Sequence, residues 1–411
     1  MPRTDPAQTA AIIFALTYVV LGFGSLRPLR IDRAGATLVG ATAMVAFGVL
    51  TPQQAVAALD FHTLALLFGM MIVVAHLRLA GFFGWLAARV LARTRTPTGL
   101  LAAVTVLSGV LSALFVNDTV CLLLTPIVLE ATLALGLNPV PFLLAVAMGA
   151  NVGSVATIVG NPQNMLVASL SHIGYARFTG ALAPVAVAGL GLTVLALRLA
   201  FRRDLAARPP AAQPVTQGRP LHRGLLAKTL AVTALLLAAL VAGVPPGLAA
   251  LAAASALLIT RRVKPVKVYA QVDWALLVMF AGLFVVVDGV ERSGLAARWI
   301  ALLAPGPRES LPAFVGATAV LSNVVSNVPA VLLLRGWAAR FASPEHAWLA
   351  LAMASTLAGN LTVVGSVANL IVIEQARDRV KLGFWAYARI GVPLTLVTLA
   401  VGTLWLAFLA R

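Results

Sequence analysis

Long apolar runs alternate with short polar breaks along the whole chain, and none shows the period-two alternation of a barrel strand. Runs of about 18 or more apolar residues read as membrane-spanning helices, because about 20 residues at 1.5 Å rise cross a hydrocarbon core. On this pattern full spans are predicted at about 8–26, 34–50, 61–77, 140–170, 180–200, 226–243, 246–260, 272–290, 345–376 and 387–410. Two further stretches, 98–134 and 310–342, are too long for one span and too short for two with a loop. Each is interrupted in its middle, at SALFVNDTVCLLLTP and SNVVSNVPAVLLLRG. Both are read as re-entrant hairpins of two half-helices, a backbone tolerated only where it lines a cavity or packs inside protein.

Composition narrows the class further. Apolar residues make up 61% and charged residues only 10%, against roughly a quarter charged in soluble domains. A soluble enzyme, a nucleic-acid binder, a fibrous protein and an outer-membrane barrel are all excluded. The net charge of +17 is therefore read against a membrane, where loop Lys and Arg set orientation. With the spans above, one set of connections collects 21 basic residues, including Arg27, Arg30, Arg33, Arg78, Arg89, Arg208, Arg219, Arg261, Arg262, Lys264, Lys267 and Lys381. The other collects eight: Arg3, Arg177, Arg292, Arg298, Arg308, Arg335, Arg340 and Arg411. The first set is expected in the cytoplasm and both termini outside. The N-terminus lacks a cleavable-signal pattern, so its first apolar run is expected to persist as a span.

The two halves repeat. Residues 147–167 align with 352–372 without a gap at seven identities in 21 positions, with Thr157, Gly160 and Asn164 falling on Thr362, Gly365 and Asn369. Ser112 and Asn117 likewise fall on Ser322 and Asn327, and Gly69 and Gly81 on Gly282 and Gly294. The predicted organisation is a first repeat at 1–201, a cytoplasmic linker at 202–225 and a second repeat at 226–411. Five full spans plus one hairpin per repeat is an odd number of crossings, so the second repeat is inverted. The fold class is an all-α polytopic membrane protein with broken helices at its centre, the architecture of secondary transporters.

Candidate chemistry concentrates at the interruptions. In the first half these are Ser112, Asn117, Asp118 and Thr119, then Asn151, Ser154, Thr157, Gly160, Asn161 and Asn164. In the second they are Ser322, Ser326 and Asn327, then Thr356, Asn360, Thr362, Gly365, Ser366 and Asn369. Half-helix N-termini suit anions, whereas freed carbonyls and Ser, Thr or Asn oxygens suit Na⁺. The competing reading of any single residue is interhelical hydrogen bonding. Asp118 is the only carboxylate at a predicted hairpin tip, and its repeat mate is Val328; an intramembrane carboxylate is a functional candidate by default, with helix capping as the bland alternative. Glu130, Glu291, Asp288 and Glu374 lie at span ends, where ion pairing or solvation is expected, and Arg335 is expected to snorkel to the outer surface. The lone Cys121 and five scattered histidines make neither a disulfide framework nor a metal motif. No paired aspartate, Ser-His or metal constellation supports an intramembrane enzyme.

The segments FVNDTVCLLLTPIVLEA, GANVGSVATIVGNPQNMLV, SNVVSNVPAVLLL and STLAGNLTVVGSVANLIV resemble the ion-transporter superfamily. Within it the chain resembles the citrate-permease-like and arsenite-permease/NhaD-type group, with the divalent anion:sodium symporters as cousins. The resemblance implies a scaffold and a mobile subdomain in each half, a substrate held between hairpin tips and broken helices, and a homodimer. It places possible Na⁺ ligands at Ser112, Asn117, Asp118, Gly160, Ser326, Asn327 and Gly365. The dicarboxylate symporters carry Ser-Asn-Thr at both tips; here the tips read Asn-Asp-Thr and Ser-Asn-Val. The function expected is inner-membrane secondary transport of a small anion or oxyanion by alternating access, coupled to Na⁺ or H⁺ and needing no cofactor. The alternative on the same fold is a Na⁺/H⁺ antiporter.

Overall fold

In the computed structural model the residues described are 5–23, 25–26, 31–206, 221–260, 262–295, 310–380 and 382–410. Most of the linker, and the basic positions Arg3, Arg27, Arg30, Arg208, Arg219, Arg261, Arg298, Arg308, Lys381 and Arg411, lie outside them.

The apolar runs fold as helices, several of which start at a polar cap such as Asp32, Asp60, Thr96 or Asp273. In the first half these are α1 (Pro6–Phe23), α2 (Arg33–Ala46), α3 (Pro52–Ala57), α4 (Phe61–Leu79) and α5 (Phe82–Leu91). They continue as α6 (Pro97–Leu114), α7 (Asn117–Ala134), α8 (Val140–Ser154), α9 (Pro162–Ser171), α10 (Tyr175–Ala200) and α11 (Arg202–Leu205). The second half has α12 (Arg223–Val241), α13 (Pro246–Leu258), α14 (Pro265–Tyr269), α15 (Trp274–Arg292), α16 (Leu311–Val325), α17 (Asn327–Ala338), α18 (Pro344–Leu357), α19 (Val367–Ala376) and α20 (Phe384–Leu409). The one strand pairing among the described residues joins Ser25–Leu26 to Ile31–Asp32. Seven described helices are long and apolar enough to cross a membrane.

The element order runs twice, down to details of capping. Asp60 caps α4 and Asp273 caps α15, both helices of 19 residues. α10 and α20 each have 26 residues, an N-capping glycine (Gly174, Gly383) and an internal proline, Pro184 or Pro393. Gly81 and Gly294 both adopt positive φ, the left-handed conformation that glycine takes without a Cβ clash.

Several details depart from the expected pattern; α2 and α13, expected as full spans, have 14 and 13 residues, and two more concern the first hairpin and the stretch before it. α5 was not anticipated between the spans ending at 77 and starting at 98; its ten residues are too short to cross. The arms of the first hairpin, α6 and α7, have 18 residues each and count among the span-length helices, where half-helices were expected. A pair of helices returns the chain to the side it left whether it crosses fully or re-enters, so the parity of the loops is unchanged.

Packing interlocks the halves. α4 lies against α13 and α15 against α2. At both crossings a glycine permits the contact: a Cβ on Gly69 would stand 2.6 Å from the Ala250 carbonyl carbon, and one on Gly282 would stand 2.6 Å from that of Thr37. Nearer the centre, α7 packs on α19 and α17 on α9, so each hairpin's second arm meets the other half's broken helix.

Candidate functional site

Both broken helices unwind by the same local mechanism. After α8 the chain turns through Thr157, a short 3-10 turn at Ile158–Gly160 and Asn161; after α18 it turns through Thr362, a 3-10 turn at Val363–Gly365 and Ser366. Thr157 and Thr362 share φ −138°, and Asn161 and Ser366 are both extended. Asn164 Nδ2 donates to the Ser154 and Thr157 carbonyls at 3.0 and 2.9 Å. Asn369 Nδ2 donates to those of Gly359 and Thr362 at 2.7 and 3.1 Å. Each asparagine thus reaches ten and seven residues back, satisfying carbonyls that unwinding has freed. Asn161 caps α9 through the Asn164 amide, and Ser366 caps α19 through that of Ala368. Gly160 abuts the Ser154 carbonyl, 2.3 Å from where its Cβ would stand, and Gly365 abuts Asn323 Oδ1 at 2.6 Å.

Asn151 joins the two breaks. Its Oδ1 accepts from Asn117 Nδ2 at 3.0 Å and from Ser366 Oγ at 3.1 Å, while its Nδ2 donates to Asn360 and Asn369 at 2.9 and 3.0 Å. A second group surrounds Thr356 Oγ1, which accepts from Asn161 Nδ2 at 3.1 Å and Gln163 Nε2 at 3.3 Å. Asn161 Nδ2 also donates to Ser154 Oγ at 2.9 Å. With its amide nitrogen directed at the Ser355 and Gly365 carbonyls (3.2 Å each), Asn327 accepts from Gln163 Nε2 at 3.0 Å. Ser322 Oγ reaches the Ser355 carbonyl at 3.1 Å, and Thr362 Oγ1 donates to Asn323 Oδ1 at 3.1 Å. Thr157 Oγ1 bonds the Ala113 carbonyl, tying the first break to its own hairpin.

The first hairpin tip is less complete. Ser112 Oγ and Asn117 Oδ1 are both buried without a hydrogen-bond partner, whereas the matching Ser322 and Asn327 are within 2.6 Å of each other. The second tip carries strain instead: Ser326 has φ 78° and ψ 161°, a region that essentially only glycine occupies without cost.

In front of this network lies a cavity of about 50 Å³. Its walls are the tips (Asn117, Asp118, Ser326, Asn327), the break ends (Pro162, Gln163, Ser366, Val367), the first part of α15 (Leu276 to Leu283), Leu21 and Arg33. Arg33 and Asp118 set opposite charges on two walls, each within the other's field, and Asp273 adds a second negative charge near Asp118. The Nε of Arg33 is buried without a partner. Of the residues singled out from sequence, Asn117, Asp118, Ser326, Asn327 and Ser366 line the cavity, while Asn151, Ser154, Asn161, Asn164, Ser322, Thr356, Asn360 and Asn369 form the buried network. Thr119 is half-buried on α7, outside the lining.

Sequence reasoning missed two polar wall residues, Arg33 and Gln163. Arg33 was read as a topogenic loop cation, although it opens α2 directly after the capping Asp32. Gln163 was passed over inside the GNPQN segment. Arg335 does not simply snorkel: its Nε holds Glu291 Oε1 at 2.6 Å. Asp288 pairs with Arg292 and Glu374 with Arg377, as expected of span-end carboxylates.

A citrate transporter family model matches residues 11–358. The silicon efflux transporter LSI3 of Oryza sativa subsp. japonica is 32% identical, covering 95% of this chain and 96% of its own. The putative transporter arsB of Dictyostelium discoideum is 27% identical over 91% of this chain and 87% of its own. The crystal structure of the Alcanivorax borkumensis YdaH transporter superposes with a TM-score of 0.55 at 17% identity, covering 98% of both chains; that likeness establishes the fold. With a family model spanning most of its length and transporters as its relatives, this chain belongs to the citrate transporter family, as a multi-pass membrane transporter and not an enzyme.

Proposed function

We propose that the protein is a secondary transporter of a small oxyanion or oxyacid, working from the inner (plasma) membrane by alternating access between two inverted repeats, as a homodimer. The observation that carries the reading is the cavity shared by both hairpin tips and both broken helices. Carriers of this architecture bind substrate between repeats, at interrupted helices. A water needs about 10–15 Å³ of such space, so 50 Å³ suits a species of a few heavy atoms better than a tricarboxylate. The wall chemistry fits a hydroxylated acid: Arg33, whose Nε is buried without a partner, donates, and Asp118 accepts. A silicon efflux transporter among the relatives agrees with that size class, silicon being in neutral water the small acid Si(OH)₄.

Coupling rests on the first tip. The orphaned oxygens of Ser112 and Asn117 at the first hairpin tip, neutral ligand atoms on the tip that also carries Asp118, fit Na⁺ as the coupling ion. Proton coupling through Asp118 is the competing arm, and in the Na⁺/H⁺ antiporter reading Asp118 exchanges the two cations without any substrate.

Purified protein should melt at higher temperature with its substrate, because a ligand that binds only the folded state stabilises it. Silicic acid, arsenite, sulfate, mono- and dicarboxylates are the ligands to screen, with and without Na⁺. Arg33→Gln should keep the fold and lose that rise. Counterflow in proteoliposomes then tests transport. Proton flux driven by Na⁺ with no added solute would replace this reading with the antiporter one.

A further inference from the structure

Away from the substrate cavity, a second and much larger hollow of about 980 Å³ opens where α4 and α13 end and α12 begins. Arg223, Arg262, Lys264 and Lys267 line it together with His222, and no carboxylate does among the described residues. None of these four cations is in an ion pair among the described residues. The Arg262 guanidinium lies directly over the first turn of α12, so close that a Cβ on Gly224 would fall 1.4 Å from its Nη1. Four positive groups gathered against the positive end of a helix repel one another and call for an anion.

The surroundings say what kind of anion. Ile259 is 80% exposed, Val266 76% and Trp274 52%. Ile259 adjoins Thr260 of the lining and Val266 lies between Pro265 and Lys267, so both flank the basic cluster where α13 ends and α14 begins; Trp274 opens α15 farther along α4, against Phe68. The hollow therefore combines a cationic mouth with an exposed apolar rim at Ile259 and Val266. Basic pockets between helices at this depth suit phosphate-bearing headgroups. We infer that this hollow is a binding site for the phosphate of an anionic phospholipid, separate from the transport site.

The test uses the full-length protein in neutral detergent, with melting temperature read against added phosphatidylglycerol, phosphatidylcholine or inorganic phosphate. Phosphatidylglycerol should raise the melting temperature, and phosphatidylcholine should not. Arg262→Gln/Lys267→Gln should weaken the apparent affinity by about thirtyfold, taking each cation near an anionic surface at about a factor of five. Arg202→Gln/Arg203→Gln, which removes the same charge outside the hollow, should leave it unchanged. An equal response in both double variants, or none that separates the two lipids, overturns the proposal. Stabilisation by inorganic phosphate alone overturns the lipid as the source of the phosphate group. A variant that no longer purifies as a folded species is replaced by Lys264→Gln, whose exposed side chain makes no cap hydrogen bond to α14.

Discussion

Asn151 makes four hydrogen bonds to residues of three other segments, fully buried between the breaks. Bonds of this type in a membrane interior are worth about 0.6 kcal/mol each on average, yet deleting one side chain orphans all of its partners. Asn151→Ala should therefore cost about 2–4 kcal/mol, read as a lowered melting temperature in detergent. Asn151→Asp should be no milder despite its shape, since its oxygens would face Asn360 Oδ1 and Asn369 Oδ1. A different outcome is expected of Asp118, which lines the cavity and meets the network at the Ala368 amide alone. Asp118→Asn should still bind substrate but lose gradient-driven accumulation, keeping at most downhill exchange in proteoliposomes. Normal accumulation with unaltered Na⁺ and pH dependence would reduce Asp118 to a helix-start residue.

Among the elements, the broken helices depend on glycine for contact and not for dihedral freedom, because neither Gly160 nor Gly365 has positive φ. A methyl at Gly160 would meet the Ser154 carbonyl at 2.3 Å, backbone that cannot move aside. Gly160→Ala should thus reduce the yield of folded protein, whereas Gly84→Ala, with nothing within 4 Å, should be neutral or slightly stabilising; size-exclusion profiles after solubilisation compare the two. How far the site could be read beforehand follows from range. The breaks were legible because polar residues at fixed spacing in an apolar run are a local signal, and Asn164 and Asn369 do their work within ten residues of themselves. Arg33 was not legible as a wall of the cavity, because it meets the field of Asp118 only through tertiary folding, 85 positions away in sequence. α5 escaped for the opposite reason: FFGWLAARVL is too short for a span and too apolar for a loop, so a pattern tuned to membrane thickness passes over it.

At the scale of the whole molecule, the proposed inversion of one half relative to the other makes a direct geometric claim. His172 and Arg377 occupy matching positions in the aligned repeats, and both are exposed. In a Cys121→Ser background, single cysteines at these two positions should label from opposite faces of sealed cells, His172 from outside and Arg377 only after permeabilisation. Labelling from one face would make the repeats parallel and dismiss the transport model built on them.

The crossings of α2 with α15 and of α4 with α13 also have a consequence in time. α2 is finished long before its partner exists, because about 230 residues separate the end of one helix from the start of the other, which a ribosome covers in about 12–45 s at about 5–20 residues per second. During that wait the close-packing face around Thr37 has no Gly282 to meet, and the first half must be held by lipid or by the insertion machinery. Slowing elongation between the two halves should lengthen that vulnerable interval, and membrane proteases should then clear more of the nascent first half than of the finished chain.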